Sequence, residues 1–166
     1  VGIADSLNNL ANHGFVPEQH VRARSLAAVR RALELDETSA EAHRVLAFCE
    51  SNFDWGRAIA EYERALELNP HSSSTYYWFG TCLAVVGHFE RAHEMLRRAH
   101  ELDPLSLVVP TVQGLVYSYA RRFEEALPFF SRVLRIDPDF HPALRYQGEV
   151  LVELHRYEEG ISALTR

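Results

Sequence analysis

Ala65-Leu66-Glu67-Leu68-Asn69-Pro70, Ala99-His100-Glu101-Leu102-Asp103-Pro104 and Val133-Leu134-Arg135-Ile136-Asp137-Pro138 are one phrase written three times, with proline at 70, 104 and 138, a spacing of 34 residues. Ala32-Leu33-Glu34-Leu35-Asp36-Glu37 states it again, one residue closer and without the proline. Other registers keep step. Small residues recur as Gly80, Gly114 and Gly148, with Leu46 in that slot in the earliest complete unit, and again as Ala58, Ala92, Ala126 and Gly160. Bulky residues recur as Trp55, Phe89, Phe123 and Tyr157, then as Tyr62, Leu96, Phe130 and Leu164. A fixed period of this length marks an architecture in which each unit is one supersecondary element that buries its apolar face only by stacking on its neighbours.

Each unit reads as two helices. Tyr76, Phe79, Gly80 and Leu83 fall at i, i+3, i+4 and i+7, a single apolar stripe, and Phe89, Ala92, Leu96 and Ala99 repeat that spacing in the second helix. Gly80 permits close approach of the paired helix. Gly87-His88 separates the stripes with a helix-ending glycine, and Asp103-Pro104 ends the second helix because the residue before proline is driven out of the α region. Pro110 falls in a first turn, where the missing N–H costs little. Pro128 lies about one turn into its helix and removes only an early hydrogen bond.

The period, the small residue in the first helix, the aromatic that opens the second, the alanine three residues later and the closing Asn/Asp-Pro resemble the tetratricopeptide repeat. The resemblance implies an all-α fold, a right-handed α-α superhelix of antiparallel helix pairs. It covers residues 39–166 well: complete repeats at 39–72, 73–106 and 107–140, then 141–166 as a truncated repeat. Residues 1–38 read as a degenerate partial repeat, with Val1-Gly2 ending one helix, Val21–Leu35 forming another, and a loop over Asn12–Gln19 inserted around Gly14 and Pro17. Val1 is not a methionine and Arg166 interrupts a helical pattern, which reads as part of a longer protein. Unfinished repeat ends expose apolar surface, so end-to-end homodimers through the termini are expected.

The same resemblance implies a concave, ligand-binding face lined by the first helices, at the second, fifth, ninth, twelfth and thirteenth positions of each unit. In this sequence these are Ala40, His43, Ala47, Glu50 and Ser51; Ser74, Tyr77, Thr81, Ala84 and Val85; Val108, Thr111, Leu115, Ser118 and Tyr119; and Pro142, Arg145, Glu149, Val152 and Glu153. The protein-binding groove is assigned to His43, Ala47, Glu50, Tyr77, Thr81, Thr111, Leu115, Tyr119, Arg145 and Glu149. This set is small, apolar and aromatic in the middle and charged toward both ends, which suits a polypeptide segment with hydrophobic anchors. The family's grooves for acidic chaperone tails need Lys, Asn and Arg at several of these positions; only Arg145 is a cation, and that subclass is excluded. The competing reading of Tyr77 and Tyr119 is plain packing within the stack with wet hydroxyls.

Gly2-Ile3-Ala4-Asp5-Ser6, Phe53-Asp54-Trp55 and Leu102-Asp103-Pro104-Leu105-Ser106-Leu107 further resemble repeat regions that follow winged-helix DNA-binding, cyclase or kinase domains in bacterial regulators. On that resemblance the module is a regulatory arm that recruits or senses a partner.

Other function classes fare worse. The 166-residue chain carries a formal charge of −6, which opposes binding to phosphate backbones, so nucleic acid, including single-stranded RNA read by helical repeats, is not an expected partner. Stretches such as Leu105–Val112 fall well short of the roughly 20 apolar residues needed to span a bilayer, and no membrane association is expected. Two cysteines, Cys49 and Cys82, form no disulfide framework and read as small core residues in a reducing, cytoplasmic compartment. Nine histidines invite catalysis or metal binding, yet His-Glu-x-x-His, a phosphate loop and a nucleophile elbow are all missing. His88, His93 and His100 are not spaced i, i+4 and read as solvated or groove histidines. Glu124-Glu125 and Glu158-Glu159 begin second helices, where negative charge suits the helix N-terminus. The expectation is a protein-binding module without cofactor or metal, not an enzyme.

Overall fold

The structure, a computed structural model, describes residues 1–2, 18–51 and 53–165. The helices, in chain order, are α1 (Glu18–Leu35), α2 (Ala40–Glu50), α3 (Trp55–Leu68), α4 (Ser73–Val85), α5 (Phe89–Leu102), α6 (Val108–Tyr119), α7 (Phe123–Ile136), α8 (His141–Glu153) and α9 (Tyr157–Leu164). Among the described residues no strand occurs, and the fold is an all-α helical-repeat solenoid. From α2 onward the helices come in pairs, and each pair falls within one 34-residue period.

The boundaries of the helices are made locally by the recurring residues. Ser39, Ser72 and Ser106 precede first helices, and each Oγ accepts the backbone N–H three residues on, from Ala42 at 3.4 Å, Thr75 at 3.2 Å and Val109 at 3.3 Å. Second helices end where the backbone N–H of Asn69, Asp103 and Asp137 closes the last bond to Ala65, Ala99 and Val133. Just beyond, Asn69 Oδ1 accepts from His71 N at 3.1 Å and Asp137 Oδ1 accepts from Asp139 N at 3.1 Å, an Asx turn that redirects the chain. Asp36 makes the same turn without a proline, accepting from both the hydroxyl and the backbone N–H of Thr38. Those two bonds hold its carboxyl below the usual carboxylate range.

The turn inside each of the last three pairs is a Schellman motif. His88 N donates to Leu83 O, Arg122 N to Tyr117 O and Arg156 N to Leu151 O, each at 2.9 Å, and the residue before each donor is left-handed. Glycine occupies that left-handed position once, at Gly87 (φ 84°), whereas Arg121 (φ 57°) and His155 (φ 60°) hold it in the next two turns. A Cβ at Gly87 would meet nothing within 4 Å, so the penalty there is purely one of backbone conformation. Gly87→Ala is therefore expected to cost ~1 kcal/mol, and Arg121→Gly to gain ~0.5 kcal/mol despite losing an exposed side chain. Urea midpoints of the two variants moving in the same direction would contradict this.

The chain divides into two compact units, Val1–Trp78 and Phe79–Arg166. In the first, α1 packs on α2 through Val29, Val45, Leu46 and Cys49, with Leu26, Ala32 and Leu33 around them, and α2 packs on α3. Helix α1 is described from Glu18 onward and so includes residues 18–20, which precede the Val21–Leu35 helix read from the sequence. Glu18 and Gln19, expected in the loop over Asn12–Gln19, are strong helix formers. The inserted loop near Gly14 and Pro17, and the Ile3–Ser6 part of the regulator-like motif, lie outside the described residues.

In the second unit Ala126, Phe130, Val133, Ala143 and Val150 form the core between α7 and α8, with α6 on the other side of α7. Gly114 and Gly148 sit where helices cross most closely: a Cβ at Gly114 would lie 2.7 Å from Phe130 Cε1, and one at Gly148 would lie 2.5 Å from Leu164 Cγ. Gly80 plays the same part against Leu96. Pro128 is exposed within α7, and the helix continues through it.

Candidate functional site

Along α6, Leu115, Ser118 and Tyr119 fall at i, i+3 and i+4; along α8, Tyr146, Glu149, Val150 and Glu153 fall at i, i+3, i+4 and i+7. Each set is a stripe on one helical face, and the two stripes line a cleft of about 350 Å³ together with Arg121 and Phe123. That volume lies within the usual range for a ligand cleft. Leu115 and Tyr146 are half-buried, Val150 is buried and Tyr119 is 50% exposed, so the site has an apolar base and an accessible aromatic edge.

The charged side chains of the cleft lie against its rings and against each other. The Arg145 guanidinium stands 4.2 Å from the centre of the Tyr146 ring and 3.5 Å from Glu149 Oε1. Arg121 stands 5.2 Å from the centre of the Phe123 ring and 3.7 Å from Glu153 Oε2. Cations held over ring faces keep their stems on apolar surface, which leaves a cleft whose charge is balanced locally. Burial pushes the Tyr119 hydroxyl above its ordinary pKa, with the neighbouring Tyr146 adding to the shift and Arg145 opposing it. The phenol is therefore neutral at physiological pH and able to donate a hydrogen bond.

Leu115, Tyr119 and Glu149 of the sequence-assigned groove line this cleft, and Arg145 borders it. Thr111 is 1% exposed, and its hydroxyl donates back to Leu107 O at 2.7 Å. Thr81, also in the second unit, is half-buried. In the first unit Ala47 is fully buried, and Glu50, 5% exposed, lies 3.8 Å from Arg30 and 3.9 Å from Arg57, joining α1, α2 and the start of α3. His43 uses both ring nitrogens internally: Nδ1 is 2.6 Å from Glu61 Oε2 and Nε2 is 3.0 Å from Glu37 O. Tyr77 is half-buried with its ring edge-on to Trp78, 4.9 Å between centres. Arg121, Phe123, Tyr146 and Val150 were missed from the sequence. Arg121 occupies the turn position where Gly87 stands in the previous unit, and Tyr146 adjoins a ligand-facing position; a scan for exposed aromatic and arginine neighbours of the assigned positions would have found both.

One other expectation changes. His93 and His100 are half-buried rather than fully solvated: His93 Nε2 and His100 Nδ1 are buried with no hydrogen-bond partner, and the His93 ring lies 4.1 Å from that of Tyr117. Burial lowers the pKa of His93 below its ordinary value, which favours the neutral ring. Cys49 and Cys82 are each buried and free, and burial pushes the Cys82 thiol to about 11, away from the reactive thiolate. Among the described residues no three His, Cys, Asp or Glu side chains cluster as a metal site, and no helix is long and apolar enough to cross a membrane.

Comparison with known proteins places the chain. The family model described as anaphase-promoting complex, cyclosome, subunit 3 matches residues 51–133, and a tetratricopeptide repeat model matches residues 111–166. Anaphase-promoting complex subunit 3 of Schizosaccharomyces pombe is 25% identical over 156 residues, covering 93% of this chain. The chain spans 23% of that relative's length. The BBSome complex member BBS4 of Bos taurus is 26% identical, covering 89% of this chain and 28% of its own. Among solved structures, pilF of Pseudomonas aeruginosa superposes with a TM-score of 0.75 at 22% identity over 98% of this chain and 73% of that one. YrrB, described as a TPR protein with an unusual peptide-binding site, superposes with a TM-score of 0.64 at 23% identity over 99% and 82% of the two chains. With repeat models matching from residue 51 to the last residue and helix pairs in the same period, the chain belongs to the tetratricopeptide repeat family.

Proposed function

We propose that this chain is a protein-protein interaction module, and that the cleft between α6 and α8 takes an extended or helical polypeptide segment with hydrophobic anchors. The observation that carries the reading is the composition of that cleft: an apolar base at Leu115 and Val150, an exposed Tyr119 edge, and arginines already balanced by Glu149 and Glu153. An apolar anchor gains from desolvation on such a surface, and the polar rim sets register. A strongly charged ligand would have to break local ion pairs to bind. YrrB is described as binding peptide, and relatives are named as members of multi-protein complexes; both support a protein or peptide partner.

The regulatory-arm reading has the resemblance of short motifs behind it. Two of those motifs have local structural roles. Asp54 Oδ1 accepts from Arg57 N at 3.0 Å and caps α3, and Asp103-Pro104 ends α5. They add nothing independent for an attached DNA-binding, cyclase or kinase domain, and the relatives' names favour a subunit that assembles with other proteins.

Methyl-resolved NMR with peptides selected from a random displayed library tests the proposal. The Leu115 and Val150 methyls are expected to shift saturably with a peptide carrying Leu, Ile or Phe anchors. Shifts spread evenly over both units, or confined to residues away from α6 and α8, would contradict it.

A further inference from the structure

A second cleft, of about 530 Å³, opens between α7, α8 and α9, with Leu144, Leu151 and Ala163 at its base and Ser131, Gln147 and Arg156 at its rim. Its meaning comes from comparing it with the same place one repeat earlier. Thirty-four residues back, between α5, α6 and α7, Tyr117 stands at the position of Leu151, Phe129 at that of Ala163 and His93 at that of Leu127. There the aromatic rings fill the space. Tyr117 is stacked on Phe129, 5.3 Å between centres, and lies 4.1 Å from His93, while the Arg122 guanidinium covers the Tyr117 ring at 4.9 Å.

Arg156 reproduces Arg122. Both grip the glutamate three residues on with two hydrogen bonds, Arg122 to Glu125 at 2.7 and 2.5 Å and Arg156 to Glu159 at 2.8 and 2.7 Å. The last unit thus keeps the guanidinium lid, with leucine and alanine where the previous unit has tyrosine and phenylalanine. What the earlier cleft accepts from its own chain defines the chemistry that fits the later one: a flat ring against aliphatic methyls, edged by a guanidinium.

We propose that the cleft between α7, α8 and α9 is a second docking site, which receives a tyrosine or phenylalanine side chain of a partner polypeptide beneath Arg156. It is separate from the cleft between α6 and α8, and neither proposal depends on the other. The occupant is aromatic because the cleft's own counterpart is filled by aromatic rings in the same register.

The probe is p-cresol, the tyrosine side chain on its own, titrated into the full chain with methyl groups observed by NMR. The Leu127, Leu144, Leu151 and Ala163 methyls are expected to show saturable ring-current shifts, with the Leu115 methyls as the separate report on the other cleft. The variant Leu151→Tyr/Ala163→Phe, which supplies the missing rings in cis, is expected to abolish those shifts. Arg156→Gln, at an exposed position, is expected to weaken p-cresol at least threefold, and it decides the matter by itself should the filled variant lose its helical circular dichroism. Peptides selected from a random displayed library whose binding the filled variant abolishes are expected to carry a Tyr or Phe whose replacement by Ala weakens them at least tenfold. Unmoved methyls, shifts that persist in the filled variant, an Arg156→Gln affinity equal to the parent's, or peptides lost in the filled variant that carry no aromatic residue would each overturn the assignment. A homodimer dispersed by p-cresol in sedimentation would also overturn it, by making a second copy of this chain the occupant.

Discussion

Phe130→Ala is expected to lower the free energy of unfolding by ~3–5 kcal/mol, the range for truncating a fully buried aromatic ring. Phe130 is 0% exposed; its ring lies under Gly114 of the partner helix and 6.3 Å from the ring of Tyr146, and its neighbours Ala126 and Val133 are also fully buried. Helix pairs whose backbones already approach this closely have little room to collapse into the space left behind, so the cavity term adds to the lost transfer energy. For a chain of this size the change corresponds to a fall in Tm of roughly 6–20 °C. Because stability in repeat proteins is a sum over units and interfaces, hydrogen exchange should show protection lost first from α6 and α7. A cost below ~1 kcal/mol would show that the α6–α7 crossing is not the tight contact described here.

The second large effect is a reversal of sign at Gly114. An added Cβ would lie 2.7 and 2.8 Å from two carbons of the Phe130 ring and 3.1 Å from Phe129 Cβ, and a fully buried ring cannot swing aside as the end of an aliphatic chain can. Gly114→Ala is expected to cost ~1–2 kcal/mol even though alanine is the better helix former, since overpacking outweighs the propensity gain. With the ring removed by Phe130→Ala, the same Gly114→Ala change is expected to stabilise by ~0.5–1 kcal/mol, leaving propensity alone. The coupling between the two sites, about 2 kcal/mol, is within the range for residues in direct contact. Chemical denaturation of the four proteins measures it, and additive effects would contradict the account.

Both predictions were readable in outline from the sequence, because the 34-residue register pairs Gly114 with Phe130 as it pairs Gly80 with Leu96. Close crossing needs a missing Cβ on one helix and bulk on the other, and a repeat prints that need several times over. The Asn/Asp-Pro helix ends were legible for the same reason, whereas the serine caps were not read, although Ser72 and Ser106 stand one period apart. Functional positions were less legible. Ala47, Glu50, Thr111 and His43 occupy ligand-facing registers, yet Ala47 and Thr111 are too short to emerge from between neighbouring helices, and Glu50 and His43 are drawn to Arg30, Arg57 and Glu61 on other helices. A register says which way a position points within its own unit; it does not say which long side chain from another helix will engage it. Arg121 was hidden because it lies in the turn, legible only as a helix end, and Phe123 because it recurs as the bulky residue that opens a second helix and reads as packing. The unfilled cleft under Arg156 was hidden for the opposite reason: Leu151 and Ala163 fit the apolar pattern as well as Tyr117 and Phe129 do, and only the volume between helices separates them.

The central claim is that Leu115 and Tyr119 receive a polypeptide segment. The measurement that tests it most directly is the affinity of peptides selected on the intact chain, compared between the parent and the Leu115→Ala and Tyr119→Ala variants at equal helicity. Each substitution is expected to weaken the peptides that shift the Leu115 methyls by roughly 5–50-fold, which corresponds to a hot-spot loss of ~1–2.3 kcal/mol. Unchanged affinity in both variants for every selected peptide would contradict the claim.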